Sequence, residues 1–544
     1  MKEAKENFTE QATGVGHHAA LVATGILLSR VAGLIRDRVF AHYFGNSDAA
    51  DAFRAAFRIP NFLQNLFGEG VLSASFIPVY ARLLAEESQE EADRVASAVF
   101  FLLSLFVSCL VLIGILTTPF LIGTIAPGFS GAKRELTISL VRILFPGAAL
   151  LVLSAWCLGI LNSHRRFFIS YTAPVVWNLV MIASLIGFGG HLEQFRLTRA
   201  VAWGSVVGSA MQVVVQLPQV ARLIREFRVS IGIRMESVQT VVRNFFPVFI
   251  ARGVVQISAY VDTFLASFLP TGALSALVYA QTLYMLPVSL FGMSVSAAEL
   301  PVFSSALGET GEVNSYLRNR LNAGLRQIAF FVIPSVMAFL LLGDVIAGAI
   351  YQTGQFTRRD SVYVWGILAG SAVGLLATTL GRLYASMYYA LKDTRTPLRY
   401  AILRVFLTTV LGYIFALPLP ALLGLDPRWG AAGLTASAGI CGWLEFVLLR
   451  NSMGRRIGKT GLPFPFILKL WISAGTAGAA GWLGKLMMSL DHPILLAIVS
   501  LGMYGVVYFG VAIAFHLPEV KGLIDKVGGI ARIPRVLSKG REKK

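Results

Sequence analysis

The stretch LLSRVAGLIRDRVFAHYFG, Leu27 to Gly45, has the length and apolar content of a membrane-spanning helix. It nevertheless contains four charged residues: Arg30, Arg36, Asp37 and Arg38. Charged side chains are costly in hydrocarbon, and those in membrane helices face the protein interior or a water-filled cavity. The stretch therefore predicts one wall of a polar cavity inside a membrane protein.

The composition of the whole chain agrees with that prediction. Of its 544 residues, 56% are apolar and only 14% are charged, whereas about 25% are charged in an average soluble domain. Apolar runs of helical length recur throughout and predict an all-α integral membrane protein with fourteen transmembrane helices. The predicted spans are 18–44, 51–81, 96–117, 135–160, 170–187, 200–217, 244–268, 275–308, 327–343, 361–389, 400–419, 430–449, 463–488 and 494–516.

The net charge of +18 has a topological explanation. With the N-terminus inside, 29 of the 47 Lys and Arg fall in inner segments and only 7 in outer loops. Lys and Arg are enriched in cytoplasmic loops of membrane proteins. The distribution therefore predicts that both termini are cytoplasmic, and it accounts for the positive charge without a nucleic-acid partner.

Two pairs of segments in the chain resemble each other. IRDRVFAHYFG (35–45) matches YVDTFLASFLP (260–270), and SASFIPVYARL (73–83) matches SAAELPVFSSAL (296–307). Six spans separate the copies, so both insert in the same orientation, as in the parallel repeats of alternating-access transporters. The predicted organisation is a cytoplasmic leader 1–17, an N-lobe 18–228, a basic linker 229–243, a C-lobe 244–453, two further helices within 463–516, and a basic cytoplasmic tail 517–544.

The charges within the spans are the candidate site. Arg30 and Asp37 lie seven residues apart, so an α-helix places them within about 20° of each other, with Arg36 beside them. Other candidate cavity or gating residues are Asp51, Arg54, Arg58, Glu69, Asp262 and Glu299. Because arginines outnumber acids here, we expect an anionic ligand, and the arginine fork suits phosphate. A purely structural ion-pair cluster is the alternative, with Asp51 only capping the second helix.

Signatures of catalysis are missing from the sequence. It contains no HExxH, no GxSxG, no P-loop and no GxGxxG. We therefore expect a transporter and not an enzyme, with no cofactor and no ATP. Membrane potential, an ion gradient such as Na⁺ or the substrate's own gradient would drive transport.

The motif order resembles a known family, the MurJ/MviN lipid II flippases of bacteria. The matching segments are SRVAGLIRDRVFAHYFG (29–45), DAADAFRAAFRIPN (48–61), FGEGVLSASFIPVYARL (67–83), APGF (126–129), YQTGQFT (351–357) and KDTRTP (392–397). The N-terminal block is highly specific, and the resemblance covers nearly the whole chain. The last two spans match mainly in hydropathy.

The resemblance implies a function and a place in the cell. It implies two lobes around a cationic cavity, and movement of lipid II from the inner to the outer leaflet of the bacterial cytoplasmic membrane. Arg30, Arg36 and Asp37 match essential first-helix positions, and Asp51, Arg58 and Glu69 match second-helix positions. The last two spans would form a groove for the lipid tail. Lipid II and membrane lipids are the expected partners, with the cell-wall synthesis machinery as a further candidate, and the expected state is a monomer.

The sequence departs from the family at three places. Gln64-Asn65 stand where many members have two arginines, and Gln281-Thr282 stand where many have an arginine of the diphosphate site. We expect Arg252 to supply the missing cation. A sodium site built on Asp262 is doubtful, because the eleventh span offers only Thr408-Thr409 in place of an Asp.

The resulting hypothesis is alternating access, with Arg30, Arg36 and Arg252 binding a diphosphate and Asp37 orienting the arginines. Two alternatives remain at this point. One is an exporter of another polyprenyl-linked glycan or of a drug, as in the related MATE proteins. The other is a membrane scaffold with a degenerate cavity.

Overall fold

The computed structural model describes residues 24–67, 69–227, 232–305, 310–488, 492–520 and 522. The side chains of Glu69, residues 250–259 and Thr310 fall outside that description, as do the predicted leader 1–17 and most of the basic tail. Within the described residues the regular structure is helical, apart from an isolated bridge between Thr353 and Phe356. The predicted all-α class is confirmed.

The helices follow one another with short connections. They are α1 (24–44), α2 (Asp48–Phe67), α3 (Glu69–Ser75), α4 (Ile77–Ala85), α5 (Gln89–Ile125), α6 (Gly131–Ser163), α7 (Phe167–Gly189), α8 (Gln194–Leu223), α9 (Glu236–Ala266), α10 (Ala273–Pro287), α11 (Ser294–Ser304), α12 (Thr310–Tyr351), α13 (Arg358–Ala390), α14 (Arg395–Ala416), α15 (Pro418–Leu422), α16 (Gly430–Ile457), α17 (Phe464–Met487) and α18 (Pro493–Ala514).

Eleven helical segments in the described part of the chain are long and apolar enough to cross a membrane. This makes the protein a multi-pass membrane protein. Helices α1, α2 and α9 are not among the eleven. These three carry most of the candidate charges in the first half of the chain. Residues before 24 and the side chains of 250–259 lie outside the description, so the eleven segments are no count of the whole chain.

The two long predicted spans 51–81 and 275–308 are interrupted, as their Pro and Gly content suggested. In the first, the described interruption is a turn at Phe76, between α3 and α4, and Gly68 lies outside the described residues. In the second, a π-helical segment, Val288–Met293, follows Pro287 and leads into α11. Proline lacks the N–H that continues the helical ladder, and π segments are frequent at functional sites.

The chain forms two compact units. The first extends to Ser275 and also includes Thr353–Phe356, and the second comprises Ala276–Gln352 and the residues from Thr357 onward. Helix α9, which the predicted lobes place at the start of the C-lobe, belongs to the first unit.

Within the first unit, the turn Thr353–Phe356 packs on the end of α1. The Gln355 N–H donates to the His42 carbonyl at 2.8 Å, and the His42 ring nitrogen Nδ1 lies 2.8 Å from the Thr353 hydroxyl. Gly354 has φ +54°, and a Cβ there would lie 2.4 Å from the His42 carbonyl oxygen. Only glycine fits this turn without strain.

In the second unit, α12 packs against both α17 and α18. Pro334 within α12 has no N–H, so the carbonyl of Phe330 loses its helical partner. The Tyr508 hydroxyl of α18 donates to that carbonyl at 2.6 Å, and the Tyr504 hydroxyl donates to the Pro334 carbonyl at 2.7 Å. Side chains of the last helix therefore satisfy backbone groups of α12.

Candidate functional site

Asp37 of α1 is the centre of a buried ionic cluster in the first unit. Its side chain is 6% exposed, and its Oδ1 accepts hydrogen bonds from Arg36 at 3.0 Å and from Arg54 of α2 at 3.3 Å. A buried carboxylate needs such partners, because an unpaired charge in a low-dielectric interior is strongly destabilising. Asp37 therefore holds two guanidinium groups, one from each of the first two helices.

The Arg36 guanidinium also contacts α7. It donates to the Asn178 side-chain oxygen at 3.1 Å and lies 5.0 Å from the centre of the Trp177 ring. Asn178 itself donates to the Pro174 carbonyl at 2.9 Å, so its oxygen is held toward the arginine. Arg36 is thus fixed by three groups, while its side chain remains 20% exposed.

The arginines of α2 continue this cationic face. Arg54 lies over the Phe40 ring at 4.5 Å. Arg58, one turn further along, interacts electrostatically with Asp262 and Tyr260 of α9. The predicted spacing in α2 therefore does place Arg54 and Arg58 in one polar region, and the repeat-related residue Asp262 is part of it. The sequence predicts that Asp37 orients Arg30 and Arg36. In the structure, the ion pairs described for Asp37 are with Arg36 and Arg54.

Asp51 occupies a different environment. Its carboxylate is 2% exposed, and Lys133 of α6 donates to it at 2.7 Å. It also accepts the backbone N–H groups of Gly272 and Ser275, both at 2.8 Å, and the Ser275 hydroxyl at 2.9 Å. These donors lie at the beginning of α10, so Asp51 caps a helix that is distant in sequence and not the beginning of its own.

The remaining predicted residues are dispersed. Arg30 is an exposed side chain of α1. Glu299 of α11 accepts a hydrogen bond from Arg320 of α12 at 2.7 Å in the second unit. The side chains of Glu69 and Arg252 lie outside the described residues, although both positions are helical.

Three contributors were missed from the sequence. By sequence, Lys133 falls in a predicted outer loop, and Asn178 and Trp177 fall within a predicted apolar span. An Asn inside such a span is itself a signal, because an amide in hydrocarbon needs a partner. On that basis the sequence predicts a polar partner for Asn178, but it does not identify Arg36 as that partner.

The second-unit motif KDTRTP forms a structured turn outside the membrane helices. Asp393 accepts hydrogen bonds from the Thr396 N–H at 3.0 Å and from the Thr396 hydroxyl at 2.7 Å, and it pairs with Arg456. These bonds lower the pKa of Asp393 to about 2, and the bond from the Thr396 backbone N–H has the largest effect. The motif therefore fixes the connection between α13 and α14 and binds it to the end of α16.

The chemistry of the first-unit cluster favours an anion. Arg36, Arg54 and Arg58 face two carboxylates, Asp37 and Asp262, so positive charge is in excess. Guanidinium groups that are held in place offer preorganised paired N–H donors to phosphate oxygens. The cluster therefore has the excess positive charge and the oriented donors that an anionic group requires.

Known proteins resemble this chain along most of its length. A family model described as "Lipid II flippase MurJ" matches residues 40–511. A probable lipid II flippase MurJ of Rhizobium meliloti is 30% identical over 512 residues, covering 91% of this chain and 92% of the relative. The lipid II flippase MurJ of Burkholderia cenocepacia is 29% identical over 515 residues, covering 90% and 96%.

Solved structures give the same result at the level of the fold. A lipid II flippase MurJ in an inward closed conformation superposes with a TM-score of 0.75 at 26% identity, covering 91% of this chain and 99% of that structure. An inward-facing multidrug-resistance transporter of the MATE family superposes with a TM-score of 0.61 at 17% identity, covering 80% and 98%. The second similarity concerns the fold alone.

Proposed function

The chain belongs to the MurJ family of lipid II flippases, and from that membership we propose that it moves lipid II from the inner to the outer leaflet of the bacterial cytoplasmic membrane. Lipid II carries a diphosphate between its polyprenyl tail and its sugar headgroup. The observation that carries the proposal is the fixed Arg36–Asp37–Arg54 cluster, which is largely buried between α1 and α2. That cluster is the expected binding site for the diphosphate.

The membrane topology belongs to the same proposal. Adding α1, the interrupted span α2–α4 and α9 to the eleven apolar segments gives fourteen transmembrane helices, arranged as two lobes of six followed by α17 and α18. With the observed excess of Lys and Arg in alternate connections, both termini lie in the cytoplasm. Alkaline phosphatase fused to either terminus should then be inactive, and an active fusion at one terminus would contradict an even number of spans.

We propose that transport proceeds by alternating access, which exposes the arginine site to one side of the membrane at a time. Asp37 keeps Arg36 and Arg54 in position while the site is empty, and the diphosphate then adds bonds to N–H groups that are already oriented. The membrane potential is a suitable driving force for resetting an empty cationic carrier. Each elementary charge that crosses the full field is worth about 2.3 kcal/mol per 100 mV.

A flipping assay with purified protein tests the function. Wild-type protein in liposomes should move lipid II between leaflets, and Arg36→Ala should abolish the movement, because the variant removes the guanidinium that bridges Asp37 and Asn178. Arg94→Ala is the matched control. Arg94 lies on α5 and is 48% exposed, and its ion-pair partner among the described residues is Glu90, one turn away, so its variant should retain activity. Growth of flippase-depleted cells should follow the same order.

The same assay examines Arg252. We propose that Arg252 supplies the cation that Gln281 and Thr282 do not. Arg252→Ala should then reduce flipping, as Arg36→Ala does, and full activity of Arg252→Ala would refute the substitution hypothesis. Failure of wild-type protein to flip lipid II, combined with movement of a different polyprenyl-linked glycan, would refute the proposed substrate.

A further inference from the structure

A second arginine pair lies inside the second unit, on α13 and α14. Arg382 is eight residues before the end of α13, and Arg404 is nine residues after the start of α14. A rise of about 1.5 Å per residue puts both about 12–14 Å along helices that a short connection joins. They therefore lie at similar depth, well inside the membrane-spanning parts.

Arg382 belongs to an accessible polar stripe on an otherwise buried helix. Most of the central part of α13 is buried, while Ser371, Thr378, Arg382 and Tyr389 are partly or fully exposed at helical spacing. A stripe that faced lipid would be apolar, so this one faces a polar space. A Cβ on the neighbouring Gly381 would meet no atom within 4 Å, which shows that the space beside the arginine is open.

Arg382 has no ion-pair or hydrogen-bond partner among the residues that the structure describes. The Tyr284 hydroxyl lies 2.8 Å from the Thr378 hydroxyl, one helical turn before Arg382. Both Arg382 and Arg404 interact electrostatically with Tyr284. The Thr378 hydroxyl donates its own hydrogen to the Gly374 carbonyl at 2.9 Å. The Tyr284 hydroxyl therefore uses its hydrogen in the bond to Thr378. The N–H groups that can donate to a ligand here are those of the two arginines.

Arg404 is partly neutralised. It donates to Glu445 of α16 at 2.9 Å with one of its five N–H groups, and its side chain stays 35% exposed. The opposite face of α14 is apolar and exposed, with Leu403, Phe406 and Val410 among its residues. Arg404 thus points away from the lipid side of its own helix and keeps N–H groups available.

We propose that Arg382 and Arg404 form a second anion site that binds the diphosphate of the transported lipid, with Glu445 holding Arg404 while the site is empty. This inference rests on the proposed function, since that function supplies the diphosphate. An unpaired arginine in a membrane helix is costly, and a bound diphosphate relieves that cost by accepting from both guanidinium groups. The second unit then contributes two cations of its own, in addition to the one proposed for Arg252.

The test is equilibrium binding of lipid II and of inorganic pyrophosphate to the purified full-length protein. Arg382→Gln should weaken lipid II binding about tenfold, the effect of losing one strong charged contact worth about 1.4 kcal/mol. Arg399→Gln is the matched control, because Arg399 is an exposed arginine of α14 outside the stripe. It should bind as wild type does.

Glu445→Gln separates a ligand site from a structural ion pair. If Glu445 competes with the diphosphate for Arg404, this variant should bind lipid II about threefold more tightly than wild type, an effect of about 0.6 kcal/mol. Unchanged or weaker binding would overturn the role of Arg404. Loss of flipping in Arg382→Gln, with thermal unfolding unchanged, would support the site.

The two proposals fail in different ways. If wild-type protein flips lipid II and Arg382→Gln binds it as Arg399→Gln does, the second site is wrong and the function stands. If wild-type protein neither binds nor flips lipid II, the function is wrong. If Arg382→Gln loses pyrophosphate binding but keeps lipid II binding, the site serves a free anion and the assignment to the lipid is overturned.

Discussion

Asp37 shows how a single buried carboxylate can organise a cationic site. Three positive charges close together repel one another, and the repulsion is strong where the dielectric constant is low. Asp37 offsets that repulsion with one negative charge shared by Arg36 and Arg54. It leaves a net positive site whose donors are already oriented, which is the condition for binding an anion without a large ordering cost.

Asp51 illustrates the opposite use of a buried acid, for stability. Asp51→Asn removes the charge that pairs with Lys133 and one of the two oxygens that accept from Gly272 and Ser275. Because this leaves a mostly buried lysine with the half-exposed Asp48 as its remaining described ion-pair partner, we expect a loss of stability of about 2 kcal/mol. Thermal unfolding in detergent should show a clear decrease in melting temperature.

Asp48→Asn is the matched control for that variant. Asp48 contacts the same lysine at 3.0 Å but is 45% exposed, so we expect a loss below about 1 kcal/mol. Equal effects of the two variants would contradict a structural role for Asp51. Loss of flipping in Asp51→Asn without any change in melting temperature would instead support the cavity role predicted from the sequence.

Among the elements, α12 shows how a proline in a membrane helix is accommodated. A carbonyl without a partner in hydrocarbon costs several kcal/mol, so the group freed by Pro334 needs a donor from elsewhere. Tyr508 supplies it, and Tyr504 binds the carbonyl one turn further on. The packing of α18 on α12 is therefore fixed by hydrogen bonds in addition to apolar contact.

Tyr508→Phe tests that account. The variant keeps the ring and removes the donor to the Phe330 carbonyl, and we expect a loss of about 1–3 kcal/mol, measured by thermal unfolding. Tyr413→Phe should have no effect, since Tyr413 is 54% exposed and its hydroxyl has no hydrogen bond within the described chain. Equal melting temperatures for the two variants would show that Tyr508 contributes only apolar contact.

At the scale of the whole molecule, the sequence predicted the features that depend on residues close together in the chain, namely the helices and their interruptions. Apolar runs and their Pro and Gly interruptions are local signals, so most helix limits and the interruptions near Pro78 and Pro287 were found to within a few residues. The polar face of α2 followed from helical spacing in the same way. These features need no knowledge of the rest of the chain.

Contacts between distant residues were beyond that reasoning. Asp51 caps a helix that begins more than 200 residues later, and nothing near Asp51 identifies Gly272 or Ser275 as its donors. Arg36 contacts Asp37, Asn178 and the Trp177 ring. The charge pattern of the sequence does not identify Asn178 as one of these partners. Tertiary packing decides such pairs, whereas hydropathy decides only which segments enter the membrane.

The bonds from α18 to α12 also have a consequence for biosynthesis. A ribosome makes the chain from its N-terminus, and Tyr508 follows Phe330 by 178 residues. Until that last helix leaves the translocon, the nascent α12 holds a bare carbonyl at membrane depth. The second unit therefore reaches its finished state only after α18 has been synthesised. A chain released early keeps a defect that the proteases of membrane quality control can recognise.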